Sequence, residues 1–126
     1  MGRNNILTGT VTDIKKSSAN IETGSGIFSV MLEKDSLIKG QQASFVISAD
    51  LVHLSASEPK TDNSVFCKLI SEEFVGSMVT LFLEDQNNHE FKVQMQEREL
   101  SKFELKPGSE IWLSWSSKSA HLLEVN

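Results

Sequence analysis

The chain has 126 residues, 39% hydrophobic and 23% charged, with a formal net charge of −5 and a single cysteine. That is the composition of a soluble globular protein, one ordinary domain or two very small interlocked ones, and it excludes an internal disulfide and a cysteine metal framework. No apolar run reaches the length of a membrane span, the N-terminus lacks a basic-then-apolar signal pattern, and the acidic balance argues against nucleic acid, whose phosphates require a basic stripe.

Residues 6–14 are rich in Thr, Val and Ile and predict a strand. Residues 15–18 form a turn, 19–23 a short strand, and Gly24-Ser25-Gly26 a tight hairpin turn. That glycine turn lacks the Gly-Lys-Ser/Thr of a phosphate loop, and no helix follows it. The near-continuous apolar character of 27–32 predicts a strand buried on both faces, with Ser29 allowing some exposure. A helical turn is expected over 33–39, before Gly40. Ala43, Phe45 and Ile47 then alternate with Ser44 and Val46, which puts three core residues on one face of a strand.

Residues 55–63 hold a proline and no large apolar side chain, a linker composition. The expected division is a first repeat over 1–55, a linker over 56–63 and a second repeat over 64–126. Each half would be marginal alone, because so short a chain buries too little surface, so the halves are expected to share a core.

In the second half, 65–70 is a strand and 72–76 bends the chain. Over 77–83, Met78, Thr80 and Phe82 fall on one side of a strand and Val79, Leu81 and Leu83 on the other. An acidic, amide-rich turn at 84–90 leads to Phe91, Val93 and Met95, which alternate with Lys92 and Gln94. Good helix formers and the spacing of Leu100 and Phe103 predict one short helix within 96–105. A Pro107-Gly108 turn opens a strand carrying Trp112 and Trp115, and a polar corner at 116–119 returns into a last short strand.

The two halves repeat. An offset of 68 puts Gly40 on Gly108, Phe45 on Leu113, Ile47 on Trp115, His53 on His121 and Leu54 on Leu122. An offset of 63 puts Phe28-Ser29-Val30 on Phe91-Lys92-Val93. Many short, evenly spaced strands with little helix predict an all-β fold of tandem, duplicated OB-like five-stranded barrels.

No catalytic constellation emerges, and the chain is not expected to be an enzyme. His53 and His121 are symmetric partners in the duplication and are expected to cap the end of the last strand in each copy; His89 is expected to be solvated. Cys67 alternates with Val65 and Leu69, which marks a small core residue rather than a nucleophile. The acid pairs Glu72-Glu73, Glu84-Asp85 and Glu97/Glu99 fit a solvated face. Trp112 and Trp115 have opposite parity on one strand, so one belongs to the core and the other to a partly exposed position suited to an interface.

Three stretches resemble the transport-associated OB (TOBE) domain at the C-terminus of ATP-binding subunits of bacterial ABC importers, nearest to the polyamine, iron and sugar branch. They are Gly2-Arg3-Asn4-Asn5-Ile6 through Val11, Val46-Ile47-Ser48-Ala49-Asp50-Leu51 through Leu54, and Phe74-Val75-Gly76-Ser77 with Leu105-Lys106-Pro107-Gly108 through Leu123. The chain departs from the family at the first corner, where Ser48 and Ala49 replace Arg and Pro, and at 116–119, where the usual proline is missing. The resemblance implies a non-catalytic regulatory and dimerisation domain, with itself and the ATPase and permease subunits as partners. Its place would be the cytoplasm at the inner membrane face, without direct insertion. No cofactor is implied for this chain, since ATP and Mg would belong to the absent ATPase module. Trp112, Phe103 and Leu100 are the candidate dimer or partner surface.

The alternative resemblance is to free-standing molbindin-type OB tandems that bind molybdate or tungstate between subunits. Met1-Gly2-Arg3-Asn4 and Gly9-Thr10-Val11-Thr12 carry it, and it implies Arg3, Asn4, Ser48 and Lys118 as oxyanion contacts. At the first corner Asp50 places a carboxylate where an oxyanion would sit.

Overall fold

The computed structural model describes residues 3–33 and 36–123. Among these, ten strands carry the fold: β1 Asn4–Ile14, β2 Ser18–Thr23, β3 Gly26–Met31, β4 Gln42–Ser48, β5 His53–Ser55, β6 Asn63–Val75, β7 Met78–Glu84, β8 Glu90–Gln96, β9 Glu110–Trp115 and β10 Ala120–Leu122. Helix is confined to one turn, α1 Glu97–Leu100, and to two 3-10 turns, Ala49–Leu51 and Ser117–Ser119.

Alternation along the strands sorts side chains inward. Ala43, Phe45 and Ile47 of β4 are buried, as are Val79, Leu81 and Leu83 of β7 and Phe91 and Val93 of β8. The strands form two five-stranded antiparallel sheets, ordered β10-β4-β1-β2-β3 and β5-β9-β6-β7-β8. This is the tandem OB-like architecture expected from the repeats.

The duplication holds down to single hydrogen bonds. Gly40 and Gly108 both adopt the left-handed backbone that glycine tolerates, with φ of 89° and 96°. The Gly40 N–H donates to the Val11 carbonyl at 2.8 Å and the Gly108 N–H to the Leu69 carbonyl at 2.8 Å. The same two residues, Val11 and Leu69, begin the register shifts in the β1–β2 and β6–β7 pairs. Both 3-10 turns fall on the corners related by the offset of 68.

Each half lends its last strand to the other. β5 pairs with β9, placing His53 opposite Ser114 and Ser55 opposite Trp112. β10 pairs with β4, placing Ala120 opposite Ile47 and Leu122 opposite Phe45. The 3-10 turn after β4 drives this crossing, because it buries Ala49 and redirects the chain between sheets.

Two buried asparagines lock the exchange. Asn5 Oδ1 accepts from the Lys92 N–H at 2.7 Å, and Nδ2 donates to the Lys92 carbonyl at 2.9 Å. Asn63 does the same to Ser29, with bonds of 2.7 and 3.0 Å. Lys92 and Ser29 sit on β8 and β3, the free edges of the two sheets, so each amide acts as a short extra strand supplied by the opposite half.

One apolar core runs through both halves. Phe28 packs against Trp115 with ring centroids 4.9 Å apart and meets Phe45 at 6.4 Å, while Phe91 meets Trp115 at 6.1 Å. Such contacts each contribute about 0.5–1.5 kcal/mol beyond area burial. The Trp115 indole N–H is buried and has no hydrogen-bond partner among the described residues.

Several expectations are corrected. β3 is not buried on both faces: Phe28 and Val30 turn inward, whereas Ile27 is 57% exposed. Within 72–76 the chain stays in β6 as far as Val75 and turns only at Gly76, while the register shift in β6 falls earlier, at Leu69/Ser71. The expected helix in 96–105 is the single turn α1; the chain beyond it closes in turns, with Phe103 N–H bonded to the Leu100 carbonyl. Of the helical turn expected over 33–39, residues 34 and 35 lie outside the described residues, and 33 and 36–39 are not helical. His53 and His121 are exposed and their imidazoles make no hydrogen bond among the described residues, so neither caps a strand.

Candidate functional site

The two symmetric corners are the polar features that the fold builds from backbone donors. At the first, register brings Asn4 opposite Ser48, and the Ala49 N–H donates to the Arg3 carbonyl at 2.8 Å. The Ser48 hydroxyl donates to Asp50 Oδ1, so the corner's own carboxylate takes its hydroxyl. The Arg3 guanidinium turns to the other half. It pairs with Glu73 at 2.6 Å and lies 5.3 Å above the Phe82 ring. That pair is about half exposed and is worth little as stability, but it neutralises the cation.

The second corner packs against β3. Asp62 Oδ2 accepts from both the Ser117 N–H at 3.1 Å and the Ser117 hydroxyl at 3.0 Å. The Ser116 side chain accepts from the Lys118 N–H at 3.1 Å. Lys118 lines a cleft of about 150 Å³ with Met31, Glu33 and His121. A carboxylate from outside the corner therefore takes both Ser117 donors, and Glu33 lines the same cleft as Lys118.

Of the proposed oxyanion contacts, Arg3, Asn4 and Ser48 come together at the first corner and Lys118 stands at the second. The other candidates separate too. Leu100 is buried, Phe103 is half-buried against the core, and Trp112 is half-buried against Phe66, centroids 5.0 Å apart. Trp115 is the core tryptophan and Trp112 the outer one. Cys67 is 2% exposed, and burial together with the nearby Asp85 charge pushes its thiol up to about 12. It is a core side chain and no nucleophile.

A family model of the TOBE domain matches residues 45–123, more than half of the chain. This chain is a TOBE-domain protein. Its fold is also similar, at a TM-score of 0.82, to a crystal structure of the cytoplasmic molybdate-binding protein ModG with molybdate bound. The two chains share 20% identity, and the match covers 94% of each. No curated protein sequence matches. TOBE domains are binding modules rather than catalysts. The described residues hold no group of three metal-ligating side chains. No helix among the described residues is long and apolar enough to cross a membrane.

Two corner partners, Asp62 on Ser117 and Glu73 on Arg3, are residues that the sequence left in a linker and on a solvated face. Asp62 precedes Asn63, and Asn5 and Asn63 stand within the first two residues of the first long strand of their repeats. Aligning the repeats on those asparagines was the available signal for the locks.

Proposed function

We propose that the chain is a non-catalytic regulatory and dimerisation module serving ATP-driven solute uptake, partnering a second copy of itself and the ATPase and permease subunits of an ABC importer. ATP and Mg belong to the ATPase module, and the working place is the cytoplasmic face of the membrane. The observation that carries this reading is the filling of both corners by the chain's own carboxylates, Asp50 and Asp62. An anion entering either corner must displace an exposed carboxylate of its own sign, a repulsion of about 1 kcal/mol at close range in water and weaker in salt. Support also comes from the family match over 45–123, which spans two of the three stretches that carry the importer resemblance.

A second reading has its own observation. The likeness to molybdate-bound ModG covers 94% of each chain, and taken alone the comparisons favour a molybdate-class oxyanion as ligand. Arg3, Asn4, Ser48 and Lys118 would then contact it, with Glu73 and the corner carboxylates giving way.

Calorimetric titration with molybdate and tungstate separates the two. The regulatory reading expects no binding by the wild-type chain, whereas a stoichiometric, saturable heat establishes the oxyanion reading and ends the first. Co-purification with an ATP-binding subunit tests the importer partnership directly.

A further inference from the structure

The outer face of the second sheet carries a cleft that neither corner uses. β6 and β9 place Phe66 opposite Trp112, and the two rings tilt at 49° with centroids 5.0 Å apart. The β7–β8 turn, with Asp85, Gln86 and Asn87, and Ser25 of the β2–β3 turn wall a cleft of about 250 Å³ beside them. No lysine, arginine or histidine lines it.

The turn's polar atoms are committed unevenly. Asp85 Oδ1 accepts from the Asn87 N–H and the His89 N–H, both at 2.9 Å, which leaves Oδ2 without a hydrogen bond among the described residues. Asn87 Nδ2 donates to the Gly24 carbonyl at 2.7 Å, which leaves Oδ1 equally uncommitted. What remains is a carboxylate oxygen and an amide oxygen, both acceptors, on residues that line the same cleft as the two aromatic rings. Such a set suits a ligand that donates hydrogen bonds and carries positive charge, since ring faces and carboxylates both attract cations. An anion would meet Asp85 with no counter-charge in the lining.

We propose that this cleft between Trp112, Phe66 and the 85–87 turn binds a small organic primary ammonium ion. The ammonium group donates to Asp85 Oδ2 and Asn87 Oδ1, and its alkyl body lies on the aromatic pair. The site is distinct from both corners, so its failure would leave the proposed function untouched.

The test uses the full chain and propylammonium chloride. Heteronuclear NMR follows backbone shifts, and tryptophan fluorescence follows Trp112, the half-buried indole. Saturable millimolar binding is expected, with shifts confined to residues 64–66, 85–87 and 112. Asp85→Asn keeps an oxygen for the two turn N–H groups and should weaken binding about three- to tenfold; Trp112→Leu should do likewise, both judged against unchanged thermal melts. Uniform weak shifts across the surface, equal shifts with glucose or propionate, or binding unaltered in both folded variants would overturn the proposal. If Asp85→Asn unfolds, Trp112→Leu alone decides.

Discussion

The Asn5 side chain grips the Lys92 backbone at both its N–H and its carbonyl, across the boundary between the two repeats. Asn63 grips Ser29 in the opposite sense. With β5 and β10 exchanged as well, neither half can complete its sheet without the other.

Asn5→Ala and Asn63→Ala are therefore expected to destabilise the whole fold. Each leaves a backbone N–H and C=O unpaired at a site where the asparagine itself is 6% and 2% exposed, a cost of about 1–3 kcal/mol. Chemical denaturation should show a lower midpoint with an unchanged slope. Because both locks hold one interface, the double variant should depart from additivity. Additive losses of a few tenths of a kcal/mol would show that the amides are incidental.

Gly9 tests packing within a repeat. An alanine Cβ there would lie 2.0 Å from the Glu22 carbonyl oxygen, in backbone that cannot move without spoiling the β1–β2 pair. Gly40 has nothing within 4 Å, but its φ of 89° disfavours a side chain. Gly40→Ala should cost about 1–2 kcal/mol, and Gly9→Ala more, read from thermal melts of the two variants. The reverse order would place the close approach elsewhere.

Cys67 should make stability depend on alkaline pH. Burial first, and the Asp85 charge second, raise its thiol from 9.0 to about 12 in the folded state. Between those values the unfolded chain releases a proton that the folded chain keeps, so unfolding stability falls as pH rises through that window and is unaffected below it. Cys67→Ala should flatten that part of the profile. Native protein should also resist thiol reagents near pH 8 and react once unfolded.

The tryptophans should divide cleanly in fluorescence. Trp115→Phe leaves Trp112, which acrylamide should quench readily; Trp112→Phe leaves Trp115, 1% exposed and shielded between Phe28 and Phe91. Equal quenching in the two variants would contradict the assignment of core and outer positions.

The sequence by itself determined the all-β class, the duplication and most of the core. Those are properties of period and repetition: alternation at Ala43, Phe45 and Ile47 selects a buried face whatever strand lies alongside, and turn glycines such as Gly40 and Gly108 announce themselves by spacing. It misjudged β3 because Ile27 and Met31 are apolar on the less buried face of an edge strand. Only the tertiary structure decided which sheet receives β5 and β10, which tryptophan lies outside, and that Asp62 closes a corner 55 residues away. Strand partners and buried polar partners are chosen across the chain, Asn5 finding Lys92 at a separation of 87 residues. A residue's own neighbourhood carries no record of such a choice, because what selects the partner is a shared core and the cost of leaving a buried donor unpaired.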